Sequence, residues 1–268
     1  MRVVRLFLSV SISFLLSVTL AAQQTATSSP QALQLFQRSL SALAGGQTLS
    51  DVTLSGAARR IAGSDDDTGT AVLKALAAGA GRTDLSLHSG QRSEIQNLSA
   101  TAPAGSWSGP DGVAHVMSFH NLLTEPTWFF PAFAISRRLS TTGYVAIYIG
   151  HETRNGQAVE HISVFQTPPF KDPPLGPSFV HLTQVDFFLD STTLLPVAVT
   201  FNIHPDDNAM LDIPVEIRFS DYRPVNGPYI PFHIQKYLNN GLCLDFLADS
   251  VNLNTGLTST AFTVEVGL

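Results

Sequence analysis

Apolar and polar residues alternate with a period of two along most of the second half of the chain. The stretch from Val197 to Ile203 is typical, because its large apolar residues Val197, Val199, Phe201 and Ile203 alternate with the small or polar residues Ala198, Thr200 and Asn202. Similar alternation recurs over 185–189, 213–219 and 230–234. This pattern predicts strands with one buried and one solvated face. Short turn signals between the strands predict an antiparallel meander.

A helical pattern precedes the strands. Apolar residues recur at helical spacing over 33–43. Ser29 is suited to cap the helix, and Pro30 fits its first turn. Gly45 and Gly46 then end it. We expect an amphipathic helix of about four turns here.

Between this helix and the meander, the sequence predicts further strands and loops. Val52–Ile61 indicates a strand, Gly63–Gly69 a turn, and Thr70–Leu87 one or two strands. An alanine-rich part of the last range has helical propensity, but the flanking turns favour strand. We also expect a loop over Ser99–Pro110 and a short strand over Val113–Met117.

An aromatic segment interrupts the strand pattern between Leu122 and Leu139. Pro126 and Pro131 break any long helix, so two short helices are predicted, each beginning near its proline. The segment carries a dense cluster consisting of Trp128, Phe129, Phe130 and Phe133. This cluster either completes the core of the sheet or forms a wall that contacts a ligand, and a plug can do both.

These patterns predict a mainly β (α+β) fold, a curved antiparallel incomplete β-barrel covering one or two plugging helical segments. Strands around Asn155-Gly156 form a hairpin, and Ala261–Val266 is expected to be the last strand. The apolar positions of the sheet share an inner surface that, with the aromatic cluster, is the candidate lining of an apolar cavity. Its residues on the sheet are Val199, Phe201, Ile217, Phe219, Phe232 and Ile234.

The N-terminus indicates export. Arg2 and Arg5 precede an uncharged apolar run from Leu6 to Leu20, followed by Ala21-Ala22-Gln23. This layout predicts a cleavable secretory signal over residues 1–22, ahead of a single domain over residues 23–268. An uncleaved membrane anchor is the alternative, although the run is shorter than the ~20 residues of a spanning helix. We therefore expect a periplasmic or secreted protein.

Charge and cysteine content narrow the classes of partner. The net charge is −6, and removing the segment with its two arginines and no acid gives −8. An acidic chain argues against nucleic acid and anionic membranes as electrostatic partners. The one cysteine, Cys243, has no internal disulfide partner. Stability must therefore come from a hydrophobic core, and a monomer is expected.

Catalytic and metal-binding motifs do not emerge from the sequence. The run Gly105-Ser106-Trp107-Ser108-Gly109 has tryptophan where a nucleophile elbow needs serine. The eight histidines lack zinc-type spacing, so we interpret them as exposed structural residues with no metal site. No cofactor and no enzymatic activity are predicted. A hydrolase with an unrecognised site is the remaining enzymatic alternative.

Motifs in the last third of the chain resemble a known family. They are Asp190-Ser191-Thr192-Thr193-Leu194-Leu195-Pro196, then Phe219–Pro231 with its Asp221-Tyr222-Arg223 and Asn226-Gly227, then Ser250–Asn254 with Phe262 beyond. Together they are similar to the LolA-like and LppX-like family of periplasmic lipoprotein carriers and outer-membrane lipoprotein-sorting proteins. The motifs cover roughly residues 185–266.

The resemblance implies an incomplete barrel with helices in its mouth and an apolar cavity between them. It implies an exported carrier for a lipid, an acyl chain or a lipoprotein in the cell envelope, with a lipid or lipidated protein as partner and an envelope membrane complex as a further one. A non-transporting lipid-sensing or protein-docking module on the same scaffold is the alternative. Inserts around Ser99–Pro110 and Pro168–Ser178 make this chain longer than a bare carrier.

Overall fold

The computed structural model describes residues 26–98, 103–169 and 176–264, so the predicted signal segment lies outside the described residues. Within these ranges thirteen strands form one antiparallel sheet. The strands are β1 Asp51–Ala62, β2 Asp65–Leu76, β3 Ala80–Leu87, β4 Gly90–Asn97, β5 Ala104–Ser108, β6 Ala114–Val116, β7 Tyr144–Arg154, β8 Gln157–Gln166, β9 Val185–Asp190, β10 Pro196–Ile203, β11 Ile213–Pro224, β12 Tyr229–Leu238 and β13 Gly241–Leu253.

The sheet runs in the order β6-β5-β4-β3-β2-β1-β13-β12-β11-β10-β9-β8-β7. Strands β6 and β7 are its edges, so the sheet does not close. It is an incomplete curved barrel, which confirms the predicted fold. The pairing of β1 with β13 joins the two halves of the chain. This pairing contains a bulge between Ser55 and Gly56. A Cβ on Gly56 would lie 2.0 Å from the carbonyl oxygen of Leu247, so glycine is required at this approach.

Three α-helices accompany the sheet in the described residues: α1 Pro30–Ala44, α2 Pro131–Ser140 and α3 Gly176–Thr183. The ends of α1 are as predicted, since the Ser29 hydroxyl accepts a hydrogen bond from the Ala32 amide and Gly45 adopts φ +57°. Helix α1 packs against α2, β7 and β12. Among the described residues, no helix combines the length and apolarity needed to cross a membrane.

Several predicted elements differ from the structure. The expected turn over Gly63–Gly69 is a two-residue turn, because Asp65 already pairs with Ala62. The expected loop over Ser99–Pro110 contains β5, whose small residues Ala104-Gly105-Ser106 concealed a strand. No helix begins near Pro126. Residues 126–129 form a turn instead, and a 3-10 helix over Phe119–Leu123 precedes it.

Two further differences lie towards the end of the chain. Helix α3 was not predicted, because its apolar residues show no helical periodicity beside the proline-rich insert. The expected last strand begins instead within a 3-10 helix, Ser259–Phe262, and the end of that range lies outside the described residues. Phe262 is fully buried with Ala80 and Ile95 in a small separate cluster.

The motifs that carry the family resemblance have structural roles. The Asp190 carboxylate accepts hydrogen bonds from the amides of Thr192 and Thr193 at 3.1 and 2.6 Å and closes the β9–β10 turn. The buried Tyr222 hydroxyl donates to the Pro196 carbonyl at 2.7 Å and ties β11 to the start of β10. These residues hold the sheet together and do not face an open site.

Candidate functional site

The aromatic cluster predicted from the sequence lies between α1, α2 and the inner face of the sheet. Its four residues are buried, with Trp128 exposed by 5% and the three phenylalanines by 2% or less. The rings of Phe130 and Phe133 make an edge contact at 4.7 Å between centroids. The cluster belongs to one continuous core that also contains α1 residues such as Phe36.

The predicted sheet residues share the inner face. Val199 pairs with Ile217, and Phe219 pairs with Ile234. Side chains directly opposite each other in an antiparallel pair point to the same face. These four residues and Phe201 are buried. Phe232 is half-buried, at the edge of this surface.

A buried charge network holds the aromatic segment. The Glu125 carboxylate is fully buried and accepts hydrogen bonds from Arg138 Nη1, from Arg137 Nη2 at 2.9 Å, and from the Thr127 amide at 2.9 Å. Burial acts to raise the pKa of Glu125, but the two guanidinium groups outweigh it and hold the pKa well below its usual range. Arg137 also donates to the Tyr144 hydroxyl at 2.6 Å. The network therefore fixes the segment that follows Pro126.

An open cavity of about 710 Å³ lies beyond Trp128 on the same inner face. Its lining is mainly apolar and includes Leu85, Leu244, Ile203, Trp107 and Trp128. Leu85 and Leu244 also belong to the main core, so the cavity begins where the packed core ends. Trp107 is 43% exposed at its rim. A volume of this size lies within the range of about 300–1,000 Å³ that is typical of small-molecule sites.

Charged side chains project into this cavity from the strand ends. In the register, Arg60 of β1 and Lys236 of β12 both lie opposite Leu244 of β13. Arg92 lies opposite Leu85, and Glu94 lies opposite both Thr83 and Trp107. The cavity therefore has an apolar floor with three cations and one carboxylate around it.

The three cations have no ion-pair partner within the described part of the chain. The Lys236 ammonium lies 4.7 Å from the centroid of the Trp128 ring, a cation–π contact. The buried Arg92 Nε has no hydrogen-bond partner among the described residues. Burial raises the pKa of the Cys243 thiol at the cavity wall, while nearby Lys236 and Arg60 act in the opposite direction. The thiol stays protonated at neutral pH and is a poor nucleophile.

A smaller cavity of about 140 Å³ adjoins the first. The two share Trp128, Ile203, Lys236, Glu94 and Trp107 in their walls. Phe201 and Glu125 also line the smaller one. Of the predicted site residues, Trp128 therefore contacts both cavities and Phe201 the smaller one, whereas the three phenylalanines of the cluster are packed in the core.

The interpretation of the histidines as exposed residues is wrong for His204, which the structure buries. His204 is 3% exposed, and its Nε2 lies 3.1 Å from the Asp212 carboxylate. The Nε2 of His181 lies 2.8 Å from the same Asp212 oxygen. Because α3 was not predicted, the approach of His181 to His204 could not be expected from the sequence.

The cavity cations were missed in the sequence, although the pattern contains a signal for them. Arg60 continues the alternation of Val52, Leu54 and Ala58, and Lys236 continues that of Ile234. A charged residue at an apolar-face position points towards the inside of the sheet. Such positions, read along the chain, would have indicated charges in the cavity.

Comparisons with known proteins find likeness in structure and not in sequence. No family profile matches the chain, and no curated protein matches it. The fold matches an outer membrane lipoprotein-sorting protein domain from Vibrio parahaemolyticus with TM-score 0.53 and 14% identity, over 87% of this chain and 96% of that one. A LolA superfamily protein from Nitrosomonas europaea matches with TM-score 0.53 and 10% identity, over 87% and 97%.

A DUF1329 family protein from Desulfovibrio piger also matches, with TM-score 0.50 and 10% identity over 87% of this chain and 96% of that one. In each case the likeness spans nearly the whole of the known structure. The overall architecture of the chain is thus that of a known fold. The chain has the fold of the LolA superfamily and of the outer-membrane lipoprotein-sorting proteins.

Proposed function

We propose that this protein is an exported, non-enzymatic carrier that binds an amphiphile with an acyl chain and an anionic head group. The observation that carries the proposal is the open cavity, which combines an apolar lining with Arg60, Arg92 and Lys236. The acyl chain would lie along Leu85, Leu244 and Trp128. The head group would meet the cations that surround this apolar lining.

The energetics favour such a ligand. Burying an acyl chain gains about 0.8 kcal/mol for each methylene group, while association costs about 4–15 kcal/mol. A chain alone would therefore bind weakly to moderately, and the head group would add to the affinity. A carboxylate or phosphate placed between Arg60 and Arg92 would gain charge-assisted hydrogen bonds. It would also supply the partner that the buried Arg92 Nε lacks within the described residues.

The cargo is proposed to be a lipid or a lipidated protein of the cell envelope. The Vibrio parahaemolyticus domain with this fold is named an outer membrane lipoprotein-sorting protein domain, and the predicted signal over residues 1–22 would export this chain. A lipid-sensing or protein-docking module would use the same cavity without moving its ligand. Transfer of a labelled lipid between two vesicle populations distinguishes these alternatives, because a sensor does not accelerate it.

A titration of the delipidated protein tests the proposal. We expect saturable binding of a fluorescent fatty acid and roughly tenfold weaker binding of the matching fatty alcohol, a difference of about 1.4 kcal/mol. Arg92→Gln and Lys236→Gln should each weaken fatty-acid binding several-fold and leave alcohol binding unchanged. Arg38→Gln is the matched control, because Arg38 is exposed on α1, outside the cavity lining.

Each outcome has a distinct meaning. Equal affinity for the acid and the alcohol would contradict the anionic head group and leave acyl binding standing. The absence of saturable binding for both probes would contradict the carrier itself. Turnover of an ester by the purified protein would favour the hydrolase alternative.

A further inference from the structure

Four polar side chains from separate elements meet beyond the end of β10, and none of them lines the open cavity. They are His120 of the 3-10 helix, His181 of α3, His204 just after β10 and Asp212 just before β11. Both His181 Nε2 and His204 Nε2 are directed at the same Asp212 Oδ1, at 2.8 and 3.1 Å. The ring of His120 contacts that of His204 at 5.9 Å between centroids, but its Nε2 bonds to the Pro205 carbonyl at 3.0 Å.

From this geometry we propose that His181, His204 and Asp212 form a binding site for a divalent transition-metal ion, with zinc as the best fit. Their ligand atoms all lie within 4.8 Å of one another. Bonds of about 2.0–2.2 Å in a tetrahedral zinc site separate neighbouring ligand atoms by roughly 3.4 Å. Small side-chain adjustments would therefore place all three around one ion.

The burial of His204 is the second observation that supports this site. The imidazole is fully buried, and its Nδ1 has no hydrogen-bond partner among the described residues. Its Nε2 is directed at the Asp212 carboxylate. Asn121 fixes the backbone on both sides, because its side chain bonds to the amide of His204 at 2.9 Å and to the carbonyl at 2.7 Å. A buried ring with a fixed backbone loses little freedom when it binds a metal.

The donor set selects the class of ion. Two imidazole nitrogens and one carboxylate oxygen suit zinc, and also copper and nickel, whereas calcium and magnesium prefer oxygen ligands alone. His181 and Asp212 are 37% and 40% exposed, so an ion can enter from solvent and keep a water molecule as fourth ligand. Bound metal would tie α3 to the sheet beside β11.

Equilibrium dialysis of the mature, untagged, chelator-treated protein against zinc tests the site. We expect one zinc ion per chain, a raised melting temperature, and visible absorption of tetrahedral cobalt when cobalt replaces zinc. His181→Ala and Asp212→Asn should each weaken zinc binding at least tenfold. Both residues are partly exposed, so these variants should fold even where His204→Ala does not.

His151→Ala is the matched control, since His151 is exposed and also contacts a carboxylate, that of Glu160, at 3.0 Å. It should bind zinc as the wild type does. The proposal is overturned if the wild type binds no stoichiometric zinc at micromolar concentration. It is equally overturned if His181→Ala and Asp212→Asn bind zinc as tightly as the wild type.

Discussion

The inner face of the sheet has two regions that differ in how they are covered. Under α1 and α2 the face is filled, and Phe36 contacts Phe187 edge-on at 5.1 Å while Phe129 is fully buried. Beyond Trp128 the same face carries the open cavity. Trp128 marks the boundary, with the Phe129 ring at 5.3 Å on one side and the Lys236 ammonium at 4.7 Å on the other.

The difference lies in the connections between strands. The filled region is covered by two helices and by the aromatic segment that the Glu125 network anchors. At the cavity, β1 joins β2 through Gly63-Ser64, and β12 joins β13 through Asn239-Asn240. Two-residue turns are too short to fold over the sheet. The strand ends therefore stay uncovered, and their side chains line a space that a ligand can fill.

Breaking the anchor of the filled region should have the largest effect. Glu125→Gln leaves Arg138 buried without its counter-charge, which should lower the free energy of unfolding by about 3–5 kcal/mol. Chemical denaturation measures it. Asp66→Asn is the matched control, because Asp66 pairs with Arg59 on the exposed surface and should leave the unfolding midpoint almost unchanged.

The stability that the ionised Glu125 contributes should depend on pH in a defined way. Since folding lowers the pKa of Glu125, its contribution to stability is complete above the pKa of an exposed glutamate, about 4.3, and is lost as the pH falls below it. Wild type and Glu125→Gln should therefore converge in stability in acid. A difference that stays constant from pH 7 to pH 3 would contradict the ionised, paired state of Glu125.

A pair of aromatic truncations sharpens the comparison between the regions. Phe130→Ala should lower the free energy of unfolding by about 3–5 kcal/mol, because it leaves a cavity in a filled core. Trp107→Ala at the exposed rim should cost much less stability but weaken fatty-acid binding. The reverse order, with Trp107 critical for stability and Phe130 for binding, would show that the two regions are wrongly assigned.

The sequence was sufficient for most of the strands and for α1, because their signals are local. The alternation at 197–203 and the capping residues Ser29 and Gly45 act within a few residues of the chain. Strand β5 and helix α3 were missed because they depend on distant partners. Ala104-Gly105-Ser106 has little strand propensity and forms a strand through pairing with β4.

The candidate site was less predictable than the fold. The phenylalanines were correctly placed inside, but apolar patterning does not distinguish a filled core from a cavity. The net charge of −6 also concealed a locally cationic cavity. Arg60, Arg92 and Lys236 are far apart in the chain, and the strand register alone brings them together.

Tryptophan fluorescence offers the most direct test of the central claim that the open cavity takes an acyl chain. The chain has two tryptophans, Trp107 and Trp128, and both line the cavity. A brominated fatty acid quenches tryptophan only at close range, so it should quench the delipidated protein saturably, and both Trp107→Phe and Trp128→Phe should retain part of the effect. Quenching that rises only linearly with concentration, as in free solution, would contradict the account.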